Sequence, residues 1–376
     1  MWYNVNVHVN AHIVLFSTLY LHPNFYSHII EWGNSLVTAK KRVTIKDVAA
    51  RAGVSYQTVS RVINNRPDVT DETRTRVQQA IVEMAYRPSL AARALPRRRS
   101  HIIGLIISYD ADYLFRDPNL LAQISAIDAE ANAYGYNLLL STAGDASSGL
   151  EAFERFIRNQ VADGALVLET AVAREGNKLL TQQNYPYVSL GYDENDQAYM
   201  VTHDGKSGAK EATRHLISKG HHRIGVIDGP PMGAVAGLKQ RVDGYKAALA
   251  EAGVSFDSDL VVYGDYTRLS GQIATEKLLA LSAPPTAIFA LNDRMAMGAI
   301  WALTAAGLRV PEDVAIVGFD DIPAAADFSP PLTTVRQSGR DMGRVATRML
   351  LKLIMREPVI ERQVILPAEL IIRKSS

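Results

Sequence analysis

The sequence predicts a small all-α helix-turn-helix head joined to a larger α/β core of two lobes with parallel sheets. Three observations carry that expectation. The stretch Thr44–Asn64, TIKDVAARAGVSYQTVSRVIN, places two apolar stripes at helical spacing on either side of a glycine. Positive charge is concentrated around it: Lys40 to Arg99 holds 14 Lys or Arg against 5 Asp or Glu, while the chain beyond Arg99 holds 26 against 33. From His101 onward, short apolar runs alternate with amphipathic helical segments, the pattern of right-handed βαβ crossovers.

Residues 1–39 differ from the rest. They are rich in Asn, His and aromatic residues, contain no Lys or Arg, and lack the positive n-region of a signal peptide. Their most apolar piece, His12 to Leu21, is too short to span a bilayer, so no membrane association is expected. We expect this leader to be spurious or disordered, with the functional start near Leu36, Val37 or Val43. The chain has no cysteine, hence no disulfide framework and no thiolate metal site, which suits a reducing cytoplasm.

The head is expected over 43–88. Thr44 followed by Asp47 is a capping-box signature for a first helix whose Ile45, Val48, Ala49 and Ala52 share a face. Gly53 tolerates positive φ and can end that helix in a tight turn. Ser55 can cap a second helix, Tyr56 to Asn64, with Val59, Val62 and Ile63 facing the first and Tyr56, Gln57, Thr58 and Arg61 near the outer face. A helix-turn-helix module inserts this part of its second helix into the DNA major groove, and localised positive charge is the footprint of phosphate binding. Thr70 caps a third helix with Asp71 and Glu72 in its first turn and Val77, Ile81 and Met84 as its inner stripe, ended by Tyr86-Arg87-Pro88. Residues 89–98 read as a linker: SLAARAL, then Pro96 and three arginines.

TIKDVAARAGVSYQTVSRVIN, followed by VTDETRTRVQQAIVEMAYRPSLAARAL, resembles the head of the lactose-repressor/galactose-repressor family of bacterial transcription regulators. The resemblance implies a sequence-specific regulator, in the main a repressor, that binds a palindromic operator as a dimer. It implies DNA contacts from Thr44, Ser55, Tyr56, Gln57, Thr58, Arg61, Asn64 and Tyr86. It makes 89–98 a hinge helix and linker, with Ala92 at the close approach of paired hinges and Leu95 as the apolar wedge in the minor groove. Ser89 departs from the family's usual Asn, and Pro96 stops the hinge abruptly.

In the core, strands are expected at 101–107, 137–141, 165–169, 187–190, 223–228, 260–264, 287–291 and 315–319. Helices such as Leu120–Ala133, Lys206–Lys219, Arg241–Glu251 and Met295–Ala306 lie between them. Ligands in such sheets bind outside the carboxyl ends of the strands. HDGKSGAKEATRHLISKGHHRIGVIDGP, LKQRVDGYKAAL, ALNDRMAMGAIWALTAAGLRVPEDVAIVGFDD and SPPLTTVRQ resemble the same family's effector-binding core, which is periplasmic-binding-protein-like. That places the core at 101–373, with lobe 1 at about 101–203 and 336–366 and lobe 2 at about 204–335 and 367–373.

By the same resemblance Arg241, Asn292 and Asp320 match positions that contact sugar hydroxyls, and Tyr266 falls where an aromatic can pack on a sugar face. Guanidinium, amide and carboxylate groups can bridge adjacent hydroxyls. Taken alone, Asp293 reads as a helix cap, Asp320 as a turn residue and Arg241 as a surface ion pair. Gly191 and Gly339 stand where family members carry an acidic and an aromatic contact, so the effector need not be a galactoside. The expected partners are therefore double-stranded operator DNA, a sugar-like small-molecule effector and a second copy of the chain.

No cofactor or metal is expected: His221-His222 and His203-Asp204 invite a metal reading, but adjacent histidines do not share a helix face and no HxxxH accompanies them, so solvent or helix-end roles are expected. Asp320-Asp321 could mimic a catalytic carboxylate pair, but no nucleophile elbow, P-loop or dinucleotide glycine motif accompanies it, so an enzyme is not expected. A periplasmic-type solute receptor without a DNA role is the alternative that the core alone would permit; residues 44–95 oppose it. Ser376 follows closely on ELIIR, leaving no room for a tetramerising heptad helix, so a homodimer paired through the large domains is expected.

Overall fold

The computed structural model describes residues 43–63, 66–86, 99–109, 111–144, 149–170, 172–193, 195, 197–230 and 236–376. The leader, Asn64, Ser89, Ala92, Leu95 and Pro96 lie outside the described residues, and with them the expectations for the hinge. The chain forms two compact units, Met1–Ser89 and Leu90–Ser376.

In the first unit, α1 (Ile45–Ala52) opens on a reciprocal capping box between Thr44 and Asp47 and ends at Gly53, whose φ of 65° turns the chain. Ser55 Oγ accepts from Thr58 N at 3.1 Å and so starts α2 (Tyr56–Ile63). Thr70 Oγ1 accepts from Thr73 N to start α3 (Asp71–Glu83). Val48, Ala49, Ala52, Val59, Val62, Val77 and Ala80 close into one apolar core. Tyr86 belongs to that core, at 8% exposure.

The second unit holds two six-stranded sheets. The chain order through lobe 1 is β1 (Ile102–Ile107), α4 (Ala111–Arg116), α5 (Pro118–Ala133), β2 (Asn137–Thr142), α6 (Gly149–Asn159), β3 (Gly164–Leu168), α7 (Ala173–Gln182), β4 (Tyr187–Leu190) and β5 (Met200–His203). Lobe 2 follows with α8 (Gly205–Ser218), β6 (Ile224–Asp228), α9 (Ala236–Glu251), β7 (Val261–Tyr263), α10 (Arg268–Leu279), β8 (Ala287–Ala290), α11 (Asp293–Ala305), β9 (Ala315–Asp320), α12 (Pro323–Asp327) and β10 (Thr333–Arg336). The chain then returns through α13 (Gly339–Met355) and β11 (Gln363–Leu366) before ending with β12 (Glu369–Ile371).

Lobe 1 pairs its strands in the order β11-β5-β4-β3-β1-β2, all parallel. Lobe 2 pairs β12-β10-β9-β8-β6-β7, parallel except for β12 against β10. The chain thus passes between the sheets after β5, after β10 and after β11. Each sheet is apolar on both faces, as buried parallel strands require: β3 reads GALVL and β8 reads AIFA, both fully buried. Both sheets reverse their winding, between β1 and β3 and between β6 and β8, and that is where a doubly wound sheet opens a crevice.

Four strands were absent from the eight-strand expectation or only hinted at: β5, β10, β11 and β12. Each is three or four residues long. β11 alternates exposed and half-buried residues and β12 has no fully buried one, too little for an apolar-run criterion. Helix α9 begins at Ala236, five residues before the expected Arg241. Gly237 in its first turn weakens the helical signal there.

Candidate functional site

Two surfaces carry chemistry, one in each unit. On the head, Tyr56 is 53% exposed at the start of α2, and Gln57 and Arg61 are also exposed while Thr58 is half-buried. These side chains stand outward because Val59 and Val62, on the opposite stripe, are buried against α1 and α3. Arg61 Nη1 lies 3.4 Å from Asp68 Oδ2, both side chains more than half exposed, a pair loose enough to be exchanged for another acceptor. Thr44 and Ser55 are exposed at the helix starts, where their hydroxyls serve as caps.

The second surface is the crevice between the two sheets, built from strand ends. Tyr109 follows β1, Glu169 follows β3, Gly191 follows β4 and His203 ends β5. From lobe 2, Asp228 ends β6, Asn292 follows β8 and Asp320 ends β9. Arg241 reaches it from within α9 rather than from a helix end. Its Nη1 donates to Leu291 O at 2.5 Å and lies 3.9 Å from Asp320 Oδ1, and its guanidinium stacks 3.9 Å from the Phe319 ring centroid. Gln337 Nε2, at the crossing after β10, donates to Asp320 Oδ1. Burial pushes the Asp320 carboxyl up to about 7; Arg241 opposes that shift and Asp117 adds to it. Asp320 also holds φ of 114°, an uncommon conformation for a residue with a side chain.

The two lobes are tied across the crevice. Glu169 Oε1 accepts from Gly237 N of α9 at 2.7 Å, while its Oε2 accepts from Tyr192 N at 2.8 Å. Arg294 of α11 pairs with Asp117, the cap of α5, at 2.7 Å, with both side chains less than 15% exposed. Between these ties lies a cavity of about 150 Å³ lined by Glu169, Thr202, His203, Arg241, Gln337, Asn119 and Gln123, with Leu120, Leu168, Leu190 and Met342 as apolar wall. Burial, with some contribution from the Glu169 charge, raises the Tyr109 hydroxyl to about 12. Tyr266, at φ 67°, has its hydroxyl shifted upward by burial first and by Tyr109 second; it is not among the residues lining this cavity.

Comparison with known proteins follows the same division. A model of "Bacterial regulatory proteins, lacI family" matches residues 44–89, and one of a "Periplasmic binding protein-like domain" matches 213–376. The HTH-type transcriptional regulator CelR of Thermobifida fusca is 38% identical over 343 residues, covering 89% of this chain and 99% of CelR. The chain belongs to the lacI family of bacterial regulatory proteins.

The HTH-type transcriptional repressor PurR of Vibrio atlanticus (strain LGP32) is 33% identical over 313 residues, covering 83% of this chain and 92% of PurR. A solved CelR–cellobiose complex matches with TM-score 0.69 and 35% identity over 89% of this chain and all of that one. The lac repressor dimer bound to operator and the anti-inducer ONPF matches with TM-score 0.78 and 28% identity, covering 89% of this chain and 99% of that one. This lacI-family protein is a DNA-binding transcriptional repressor with a small-molecule effector.

Against that family background, several expected site residues have other local roles. Tyr86, expected among the DNA contacts, has its ring in the head's core, because the turn after α3 folds its N–H back to Ile81 O. Asn292, not Asp293, caps α11: its Oδ1 accepts from Met295 N at 2.8 Å and its Nδ2 donates to Tyr266 O at 3.1 Å. Asn292 is 5% exposed, so its amide positions Tyr266 and α11 as well as bordering the crevice. Asp293 is fully buried, accepting from Ile322 N at 2.8 Å and from Thr334 Oγ1.

The reading of Arg241 as a surface ion pair fails, since its side chain is 14% exposed and sits 3.9 Å from Asp320, itself 11% exposed at the end of β9. Glu169, Tyr109 and the Asp117–Arg294 pair were missed; of His203-Asp204, expected in solvent or helix-end roles, Asp204 caps α8 but His203 is buried at the end of β5. The available signal was positional: polar residues directly after an apolar strand, as in ALVLE and MVTH. Among the described residues no group of three or more His, Asp or Glu side chains is placed to hold a metal ion.

Proposed function

We propose that this lacI-family protein is a dimeric repressor that reads a palindromic operator through α2 and releases or grips it according to a sugar bound in the crevice. The observation that carries the reading is the crevice itself. At the carboxyl ends of both sheets, Arg241, Asp320, Glu169 and Gln337 supply hydroxyl-binding groups beside apolar walls, in a chain that also carries an exposed polar helix start on a separate basic head. CelR, whose solved complex contains cellobiose, is the relative that supports a sugar.

An effector changes DNA affinity only through unequal affinity for two conformations. The lobes offer them: three chain passages join the sheets, and parting the Glu169–Gly237 and Asp117–Arg294 contacts would let the sheets change angle. Tyr266 stacks on a ring face, while Arg241 and Asp320 bridge hydroxyls. The crevice groups serve binding, as expected of a relative of transcriptional regulators. Among the described residues no helix is long and apolar enough to cross a membrane, which fits a cytoplasmic repressor.

For the dimer, lobe 2 offers an apolar face on α10 and α11, where Leu269, Ile273 and Trp301 are each more than 40% exposed and Arg268 stacks 5.1 Å from the Trp301 ring. A second copy covers this face.

Operator titration with and without cellobiose tests the reading. Arg61→Ala should lose discrimination at one base pair of each half-site, costing about 1–3 kcal/mol there. Arg241→Ala should keep operator affinity and lose the ligand response. Loss of affinity for all DNA sequences equally in the first variant would reduce Arg61 to a phosphate clamp. An unchanged response in the second would remove the crevice from the reading.

A further inference from the structure

Two neighbouring groups of the crevice, His203 and Glu169, bear on which ligand it takes. His203 is 5% exposed, lines the cavity, and makes no hydrogen bond of good geometry through either ring nitrogen, although the Ser338 backbone lies beside the ring. Glu169 occupies space that a side chain at position 191 would need: a Cβ on Gly191, at φ 116°, would fall 2.3 Å from Glu169 Oε2. The absence of a side chain at 191 therefore lets the carboxyl of β3 stand in the cavity. Each Glu169 oxygen takes one backbone N–H, which leaves further lone pairs on both.

Charge decides what such a cavity can hold. Arg241 and Glu169 are the charged residues among those lining it. Arg241 is held by the Leu291 carbonyl, stacked on the Phe319 ring and 3.9 Å from Asp320, so part of its donor capacity is already taken before a ligand is considered. An anionic group entering the cavity would meet Glu169 and a guanidinium already paired. The neighbouring outer cavity, of about 530 Å³, shares Thr202 and His203; its Lys206 and Lys239 are matched by Asp204 and Asp243, so it favours no anion either.

His203 suits an uncharged hydroxyl. A neutral imidazole offers one N–H donor and one acceptor nitrogen, and a hydroxyl is the group that can answer both. The ring is held neutral by burial first and by Arg241 second, which together take it down to about 4. A phosphate dianion, with acceptors only, would leave the acceptor nitrogen of His203 without a donor and set its oxygens against the acceptor oxygens of Glu169.

We propose that His203 and Glu169 select the effector's chemistry, binding hydroxyls of an uncharged sugar directly and excluding phosphorylated or acidic sugars. This rests on the crevice being the effector site, and the experiment separates the two. The full-length protein is titrated calorimetrically, without DNA, against cellobiose, lactose, glucose, galactose, glucose 6-phosphate and galactose 6-phosphate. At least one uncharged sugar should bind at least tenfold more tightly than either phosphate. His203→Ala should weaken that sugar at least tenfold, and His203→Asn, which keeps a donor and an acceptor, should recover part of the loss.

Cooperative thermal unfolding without ligand certifies each variant, with His203→Leu replacing the alanine variant if the latter does not fold. A phosphate that binds as tightly as the best sugar, a panel in which no uncharged sugar binds, or unchanged affinity in the histidine variants overturns the proposal. Arg241→Ala then tells the two apart. If it still abolishes binding of whichever ligand does bind, the crevice stands and only the selection by His203 falls; if it too changes nothing, the crevice reading falls as well.

Discussion

At the carboxyl end of the lobe 2 sheet, polar side chains satisfy one another. Asp293 holds Ile322 N and Thr334, Asn292 holds Met295 N and Tyr266 O, and Asp320 is held by Gln337 beside Arg241. At the same end of lobe 1, Ser108, Thr170 and His203 each carry a buried polar atom without a protein partner, and among the described residues no side-chain atom of lobe 2 is in that position. An unsatisfied buried group costs about 1–3 kcal/mol, so the lobes differ in how much hydrogen bonding they hold in reserve. Lobe 2 is a preset wall; lobe 1 is the wall whose capacity is still to be met.

The sharpest way to break this contrast is to open the satisfied network. Asp293→Ala strands the Ile322 N–H and the Thr334 hydroxyl in a fully buried site and leaves a void between α11 and β10. We expect a loss on the order of 3 kcal/mol or more in denaturant unfolding. A loss below about 1 kcal/mol would show that the lobe 2 network is not what holds that wall. The same measurement on lobe 1 should reverse the sign. His203→Leu removes two unpartnered nitrogens from a buried site and should stabilise the ligand-free protein by about 1–2 kcal/mol. Destabilisation would mean that His203 is satisfied in solution and that the lobes are alike.

The smallest expected effect is the pH dependence of the lobe 2 wall. Because Asp320 is raised to about 7 by burial, the folded state keeps its proton from about pH 4 to 7, where the unfolded chain has lost it. Its contribution is therefore full at low pH and is lost as pH rises through 7. His203, lowered to about 4, has the opposite sign over its own window, so the wild type alone would blur the two. The stability difference between wild type and Asp320→Asn should fall from pH 4 to 7 and level off above; a flat difference would mean that Asp320 is ionised throughout.

Legibility in the sequence followed the same physical division. The head was readable because its signals are local: Thr44 with Asp47, Gly53, Ser55 and Thr70 each act within four residues, and the structure places each in that role. Eight core strands were readable because parallel strands buried on both faces are continuous apolar runs. The short strands were not, since β11 and β12 are made by pairing with β5 and β10 rather than by their own composition.

Arg241, Asn292, Tyr266 and Asp320 came from family resemblance, and their detailed roles needed coordinates. Which of Asn292 and Asp293 caps α11 depends on backbone angles that two adjacent polar residues do not reveal. Glu169 and His203 were invisible for a different reason: their role depends on Gly191 lacking a side chain and on Arg241 standing beside them, both distant in sequence.

The two ties across the crevice have a consequence in time. A sugar too large to enter past the Glu169–Gly237 and Asp117–Arg294 contacts, each at 2.7 Å, waits until both have parted. Observed association rates should therefore rise with sugar concentration and then saturate at the rate of that parting. The delay between the appearance of a sugar and the response of its operator would then be set by the protein's own clock rather than by how much sugar has arrived.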